Sequence, residues 1–398
     1  MSRFDAYFRA ALTERDAAGT RRILRAVRRE DGTIVRDGRR LVDMSSNDYL
    51  GLADHPLLRE RATEWALRYG TGARASRLVS GTLDLHRRVE EKMVGFKGTQ
   101  GALLFASGWQ ANASVMPALC GLSISRTGHP MQVFADRLNH ASLHHGCAAA
   151  GIRQVRFRHN DLDHLETLLK REAGKPGLRM IVTESVFSMD GDRADIPALR
   201  TLADRYDAFL YLDEAHATGV LGPHGRGLSC GMADLAMGTC SKALGGMGAY
   251  VAGSGAMCDW LVNHASGFIY STALPPAVLG AIDAALDVVP GMDEAREGLL
   301  AQAERLRRTL NGAGFSTADS TTQIVPVLIG ESQTALDVAV GLEDAGFLTV
   351  AIRPPTVPLH TARLRLALHA GLTDGQIDDL GQAVIRLAKR SAGAPTVS

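Results

Sequence analysis

The chain has 398 residues, 45% of them apolar and 22% charged, which are the proportions of an ordinary globular protein with a core of its own. Its 44 basic and 43 acidic residues leave a formal net charge of +1, too little for a nucleic-acid binder that works mainly through phosphate contacts. No apolar run approaches the roughly 18 residues of a membrane span. The five cysteines (Cys120, Cys147, Cys230, Cys240, Cys258) are odd in number and never spaced C-x-x-C. That excludes a disulfide framework and a cysteine-based zinc site, and it points to a reducing compartment, the cytoplasm.

The first 31 residues are arginine-rich and read as an amphipathic helix. Asp5, Glu14 and Asp16 interrupt the basic character that a transit peptide would keep, and the apolar centre of a secretory signal is missing, so residues 1–45 are expected to form an arm of the mature fold. Short β-type runs then alternate with helical stretches. Strands are expected at 102–106, 131–135, 153–157, 179–185, 208–214, 234–239 and 248–253, with crossover helices at 160–172 and 195–206. Several strands are apolar on both faces, as strands covered by helices on each side must be. Residues 46–290 thus read as a large, doubly wound, mostly parallel α/β sheet.

A smaller α+β unit is expected over 291–398. It opens on the amphipathic stretch 294–314, which Gly312 and Gly314 would cap. Strands follow at 321–330, 347–358 and 362–370, then a closing helix near 374–392 and a frayed tail over 391–398.

The polar residues are the most informative. Ligands of open α/β sheets sit beyond the carboxyl ends of the strands. Three successive expected strands end there in ESVFSMDGD (184–192), DEAHATG (213–219) and TCSKALGG (239–246). Ser188, Asp213 with His216, and Lys242 are separated by about one βα unit each, so they converge on one edge. Upstream, Ser107-Gly108-Trp109 lies between a strand and a helix, where backbone N–H groups can hold a phosphate. A lysine, a carboxylate, a histidine and a phosphate cradle suit pyridoxal phosphate, with lysine as the covalent anchor and aspartate as partner of the pyridinium nitrogen. Each residue taken singly has a plainer reading, as a solvated loop lysine or a helix cap. The ordered set does not.

These runs, with SSNDYLGL (45–52), RLVSGT (77–82), DRLNHASLHHG (136–146) and RPPTVPLHTARLRLAL (353–368), resemble the α-oxoamine synthase family across nearly the whole chain. Those are pyridoxal-phosphate enzymes of the aspartate-aminotransferase fold (fold type I). They condense an amino acid with an acyl thioester and release carbon dioxide. The resemblance implies that Lys242 holds the cofactor and moves the Cα proton. Asp213 would pair with the ring nitrogen, and His216 and Ser188 would serve its phenolic-oxygen side. His140 would stack on the ring and, protonated, polarise the thioester. Gly108, Trp109 and Thr239 match cofactor-contacting positions, with Thr239 near the phosphate. Arg365 with Asn47 matches the pair that holds the amino-acid carboxylate, while Thr356 and Arg22 match positions that meet the acyl substrate. Arg22 has a plain alternative too, since Arg21, Arg25, Arg28 and Arg29 around it make a solvated basic face. The run from 353 is most like members that join L-alanine to a pimeloyl thioester, carried by coenzyme A or an acyl carrier protein, in biotin synthesis. Sister enzymes acting on other amino acids and acyl chains stay open, as does a non-catalytic partner subunit. Ser271 and Thr272 would reach a neighbouring subunit's phosphate in a homodimer. Cys240 stands where a larger hydrophobe is usual.

Two other signals carry less. His140 and His144 are spaced i, i+4 like a metal pair, but no third ligand is suitably spaced, so no metal is expected. The glycines of TGVLGPHGRG (218–227) follow no nucleotide-binding fingerprint and read as a flexible loop beside the site.

Overall fold

The computed structural model describes residues 2–391 apart from 18, 31 and 32; the tail expected to fray lies, but for Ser391, outside the described residues. All seven strands expected in the large unit form one sheet. Its order across the sheet is Gly101–Phe105, Ala249–Gly253, Leu235–Thr239, Ala208–Asp213, Arg179–Glu184, Gln132–Asp136 and Val155–Phe157. Every neighbouring pair is parallel except those made by Ala249–Gly253, which runs antiparallel to both its neighbours.

Successive strand residues point to opposite faces, and both faces are dry. Val133, Ala135, Met180, Val182 and Tyr211 pack on one side with Ala111, Val115 and Leu119 of the helix Gly108–Thr127. Phe134, Ile181, Leu210 and Leu212 pack on the other with the helices Leu162–Glu172 and Ile196–Arg205. A sheet covered twice has only its ends left for polar chemistry.

The C-terminal unit opens on the helix Asp293–Gly312 and closes on Asp374–Ser391. Between them Ala362–Ala367 is the central strand of an antiparallel three, flanked by Ile324–Gly330 and Val350–Ile352. The single strand expected over 347–358 divides at Thr349. Phe347–Leu348 pairs instead with Arg39–Asp43, and Pro354-Pro355, which lack N–H donors, bars continuation of the second piece.

The N-terminus differs most from expectation. The helix covers only Arg3–Ala17 and buries no residue. The arginines beyond it lie in extended chain and in the strands Arg28–Glu30, Thr33–Arg36 and Arg39–Asp43, which were not expected. Ile34 and Leu41, directly opposite in register, are the two apolar anchors of this hairpin. Two buried apolar residues among so many arginines leave a weak alternation in sequence. Among the described residues no helix is long and apolar enough to cross a membrane.

The glycine run after Asp213 is tied down rather than loose. Gly219 N–H donates to Gly225 O at 2.7 Å and Gly227 N–H to Leu221 O at 2.8 Å. Beneath it Glu214, fully buried, accepts from Lys97 Nζ at 2.6 Å and from the N–H groups of Leu228 and Ser229 at 2.5 and 2.7 Å. Gly227 has φ +92°, and a Cβ there would stand 2.6 Å from the Glu214 carboxylate. Burial pulls the Lys97 amine down, but the carboxylate beside it outweighs this and holds it above its ordinary range. Lys97→Met strands a buried carboxylate, so it should cost about 3–5 kcal/mol, read as a lower urea midpoint with an unchanged slope.

Candidate active site

A cavity of about 250 Å³ opens at the carboxyl ends of the central strands. It is lined by seven of the expected residues: Gly108, Trp109, His140, Asp213, His216, Thr239 and Lys242. Local chemistry sets each wall. Ser107 caps the 20-residue helix that follows, its hydroxyl accepting from Gln110 N–H at 3.1 Å, so the first N–H groups of that helix face an anion-binding end. Thr239 Oγ1 donates to Gly248 O at 3.0 Å and lies 2.7 Å from Ser241 Oγ, adding hydroxyls to this side. His140 caps the helix Ala141–Ala149, and its ring meets Trp109 edge-on with centroids 6.1 Å apart.

Asp213 is locked from both oxygens. Oδ1 accepts from Ala215 N–H and Oδ2 from Asn112 Nδ2, each at 2.9 Å. Asn112 is held in turn by Tyr211, whose hydroxyl donates to Oδ1 at 2.6 Å. The carboxylate therefore cannot rotate away from a cationic partner in the cavity.

Lys242 starts a second network. Its Nζ is 2.8 Å from His216 Nε2, His216 Nδ1 is 2.7 Å from Tyr49 OH, and Tyr49 OH donates to Asn47 Oδ1 at 3.0 Å. One tautomer satisfies the whole run: Nδ1–H donates to tyrosine while Nε2 accepts from lysine. Arg365 joins it, donating from Nη2 to Asn47 Oδ1 at 3.2 Å and from Nε to the Ser188 carbonyl at 2.6 Å. Burial, with Lys242 and Arg365 close by, keeps His216 well below its ordinary pKa and hence neutral. Burial also pulls Lys242 down, to about 8, although Asp213 and Glu184 oppose it. A lysine so placed is neutral in about one molecule in ten at pH 7, against fewer than about one in a thousand for an ordinary lysine. Burial lowers the His140 pKa as well, while Asp213 opposes it.

The remaining expected residues lie elsewhere. Ser188 reaches the network through its carbonyl. Ser271 accepts from Gln110 Nε2 at 2.8 Å and, with Thr272, Arg77 and His86, borders a separate small hollow. Arg22 and Thr356 are exposed; the chain nearby is joined by Arg353 Nη1 donating to Gly19 O at 2.7 Å. His144 bonds Gln154, 2.8 Å away, and His145 packs on Trp109. Sequence reasoning missed Tyr49, Asn112, Ser142, Glu184 and Gln323, whose Nε2 donates to His216 O at 3.0 Å. Asn112 and Glu184 did carry a signal, since each is a polar residue at the edge of an apolar run.

The family model for aminotransferase class I and II matches residues 39–384. The chain is 60% identical to an 8-amino-7-oxononanoate synthase of Gluconacetobacter diazotrophicus over 398 residues, covering 99% of this chain and all of that one. It is 48% identical to another of that name from Geobacter sulfurreducens, over 93% and 95% of the two chains. Among solved structures, a serine palmitoyltransferase from S. paucimobilis with bound PLP-myriocin superposes with a TM-score of 0.89 at 27% identity, over 99% of this chain and all of that one. An 8-amino-7-oxononanoate synthase from Francisella tularensis gives 0.76 at 25%, over 88% and 99%. The chain belongs to the aminotransferase class I and II family and, within it, to the α-oxoamine synthases.

With its pKa pulled down to about 8, Lys242 should gain reactivity toward a small amine-reactive electrophile through about pH 8 in the ligand-free protein. Peptide-resolved modification across pH 6–11 measures this, and a midpoint near that of ordinary lysine would contradict it.

Proposed function

We propose that the chain is a pyridoxal-5′-phosphate-dependent acyltransferase that condenses L-alanine with a pimeloyl thioester, yielding 8-amino-7-oxononanoate, carbon dioxide and free thiol for biotin synthesis. The reading rests above all on one hydrogen-bonded network that joins a depressed lysine to a guanidinium able to grip a carboxylate. The donor set fits the cofactor. A helix N-terminus with Thr239 and Ser241 suits its phosphate, the fixed Asp213 its ring nitrogen, and Lys242 its carbonyl carbon. When bound, the cofactor supplies an electron sink for charge that develops at the amino-acid Cα.

The protein's own groups do the rest. Arg365, steadied by Ser188 O and Asn47, holds the amino-acid carboxylate with charge-assisted hydrogen bonds. Lys242, more readily deprotonated than an ordinary lysine, takes up the Cα proton, and His216 keeps its Nζ in place. His140 covers the ring face and can donate a hydrogen bond to the thioester oxygen. Thr356 and Arg22 are assigned to the acyl chain and its carrier, whether coenzyme A or an acyl carrier protein. The units 1–45, 46–290 and 291–398 then act as arm, cofactor-binding body and closing cap.

A homodimer is part of the same reading. Phe4, Tyr7, Phe8 and Leu12, all exposed, recur on one side of the N-terminal helix, and Ser271 and Thr272 border a hollow where a neighbouring subunit's phosphate could be met. The five unpaired cysteines support a cytoplasmic setting.

The test is L-alanine-dependent thiol release from pimeloyl-CoA and from a pimeloyl carrier protein, with acetyl-, succinyl- and palmitoyl-CoA as controls. Release confined to the pimeloyl donors is expected, and turnover only with another donor would reassign the substrate. Lys242→Ala should abolish the absorbance of a covalently held cofactor and lower turnover by roughly 10²–10⁴-fold. Arg365→Ala should raise KM for L-alanine by about 10–100-fold, as loss of a hydrogen bond to a charged group does. Sedimentation velocity should give twice the chain mass of 42.5 kDa, and an active monomer would remove the dimer.

A further inference from the structure

The cavity holds a second carboxyl group that the proposed roles do not use. Glu184 ends the strand Arg179–Glu184 and lines the cavity, yet it is only 3% exposed and its Oε1 has no hydrogen-bond partner. Its strand lies between two others, and in register Glu184 stands directly opposite Asp213. The groups that face it are Asp213 from one neighbouring strand, Asp136 from the other, Lys242, and His140 with its main-chain N–H. Lys242, whose Nζ is hydrogen-bonded to His216 Nε2, favours the ionised form, but burial and Asp213 weigh more.

Two carboxylates side by side at the end of a dry sheet cannot both ionise cheaply. Asp213 has the hydrogen-bond donors that stabilise an anion, from Ala215 and Asn112. Glu184 has an oxygen with none. An ionised carboxylate left in that state is costly, whereas a protonated one becomes a donor in its own right. Resting on the functional reading above, we infer that Glu184 is a positioning residue that enters the site as a neutral carboxylic acid, leaving Asp213 the sole carboxylate beside the cofactor ring and offering its own O–H as a donor inside the cavity.

Burial above all, with Asp213 next, drives the Glu184 pKa well above the ordinary carboxyl value. The folded chain then binds this proton more tightly than the unfolded chain does. Stability from this group is therefore lost as pH rises from about 4.5 toward the folded pKa. Glu184→Gln, neutral and of the same shape, carries no such slope.

Two measurements decide the matter. In the ligand-free full chain, the thermal midpoint of Glu184→Gln should match wild type near pH 4.5 and exceed it increasingly toward pH 8. A difference that is flat or negative means that Glu184 is ionised, and overturns the inference. For the bound state, Glu184→Gln should keep the Kd for pyridoxal phosphate within about threefold, while Glu184→Met, similar in shape but without a donor, weakens it by about tenfold or more. Tenfold weakening by Gln, or unchanged affinity in Met, overturns the role. Should Met fail to fold, Gln still decides. Should wild type bind no pyridoxal phosphate at all, the functional reading fails and the positioning role with it, whereas the ligand-free titration still tells whether Glu184 keeps its proton.

Discussion

Everything at this site depends on a sheet that is buried twice. Helices cover both faces, so a polar side chain inside a strand has nowhere to go, and the strand ends are the only places where charge can be both sheltered and reached. Asp136, Glu184, Asp213 and Thr239 are the last residues of their strands. Parallel pairing then sets them side by side without any further device. The chemistry is arranged by the hydrogen-bond ladder of the backbone before any side chain contributes.

The smaller unit shares an apolar cluster with the large one and is tied to this edge by polar contacts. Arg365, on the central strand of the three-stranded sheet, reaches Asn47 and the Ser188 carbonyl, while Arg363 on the same face pairs with Asp190. Gln323, just before the neighbouring strand, donates to the His216 carbonyl. On the proposed reading, a carboxylate held by Arg365 would be linked to the loops that carry Ser188 and His216, and binding and proton transfer would share one set of hydrogen bonds.

Much of this was legible beforehand. The seven strands of the large sheet stand out because unbroken runs such as MIV and FLYL can only be buried, and a run that ends in Asp or in Thr-Cys-Ser-Lys advertises where the sheet stops. The N-terminal hairpin was not legible, since its burial rests on Ile34 and Leu41 amid arginines whose stems and charges mask the alternation. Nor were Tyr49 and Gln323. Their importance comes from contacts with a residue 167 or 107 positions away, and pattern within a segment carries no such information. The burial that lowers the His140 pKa was not legible for a related reason, because local sequence does not state how deeply the fold buries a histidine.

Asp213 and Glu214 are neighbours in the chain with opposite destinies. One faces the cavity, and the other turns beneath the sheet to Lys97 and the glycine run. Because side-chain direction alternates with every residue, an insertion would bring Leu212 to the cavity position of Asp213, and a deletion would bring Ala215 to the anchor position of Glu214. The first removes the fixed carboxylate from the site, and the second removes the anchor from the loop. This segment should thus accept substitution far better than insertion or deletion: length, not only identity, is under constraint here. In a mutational scan the junction would stand out as a point where every single-residue indel removes folding and activity together.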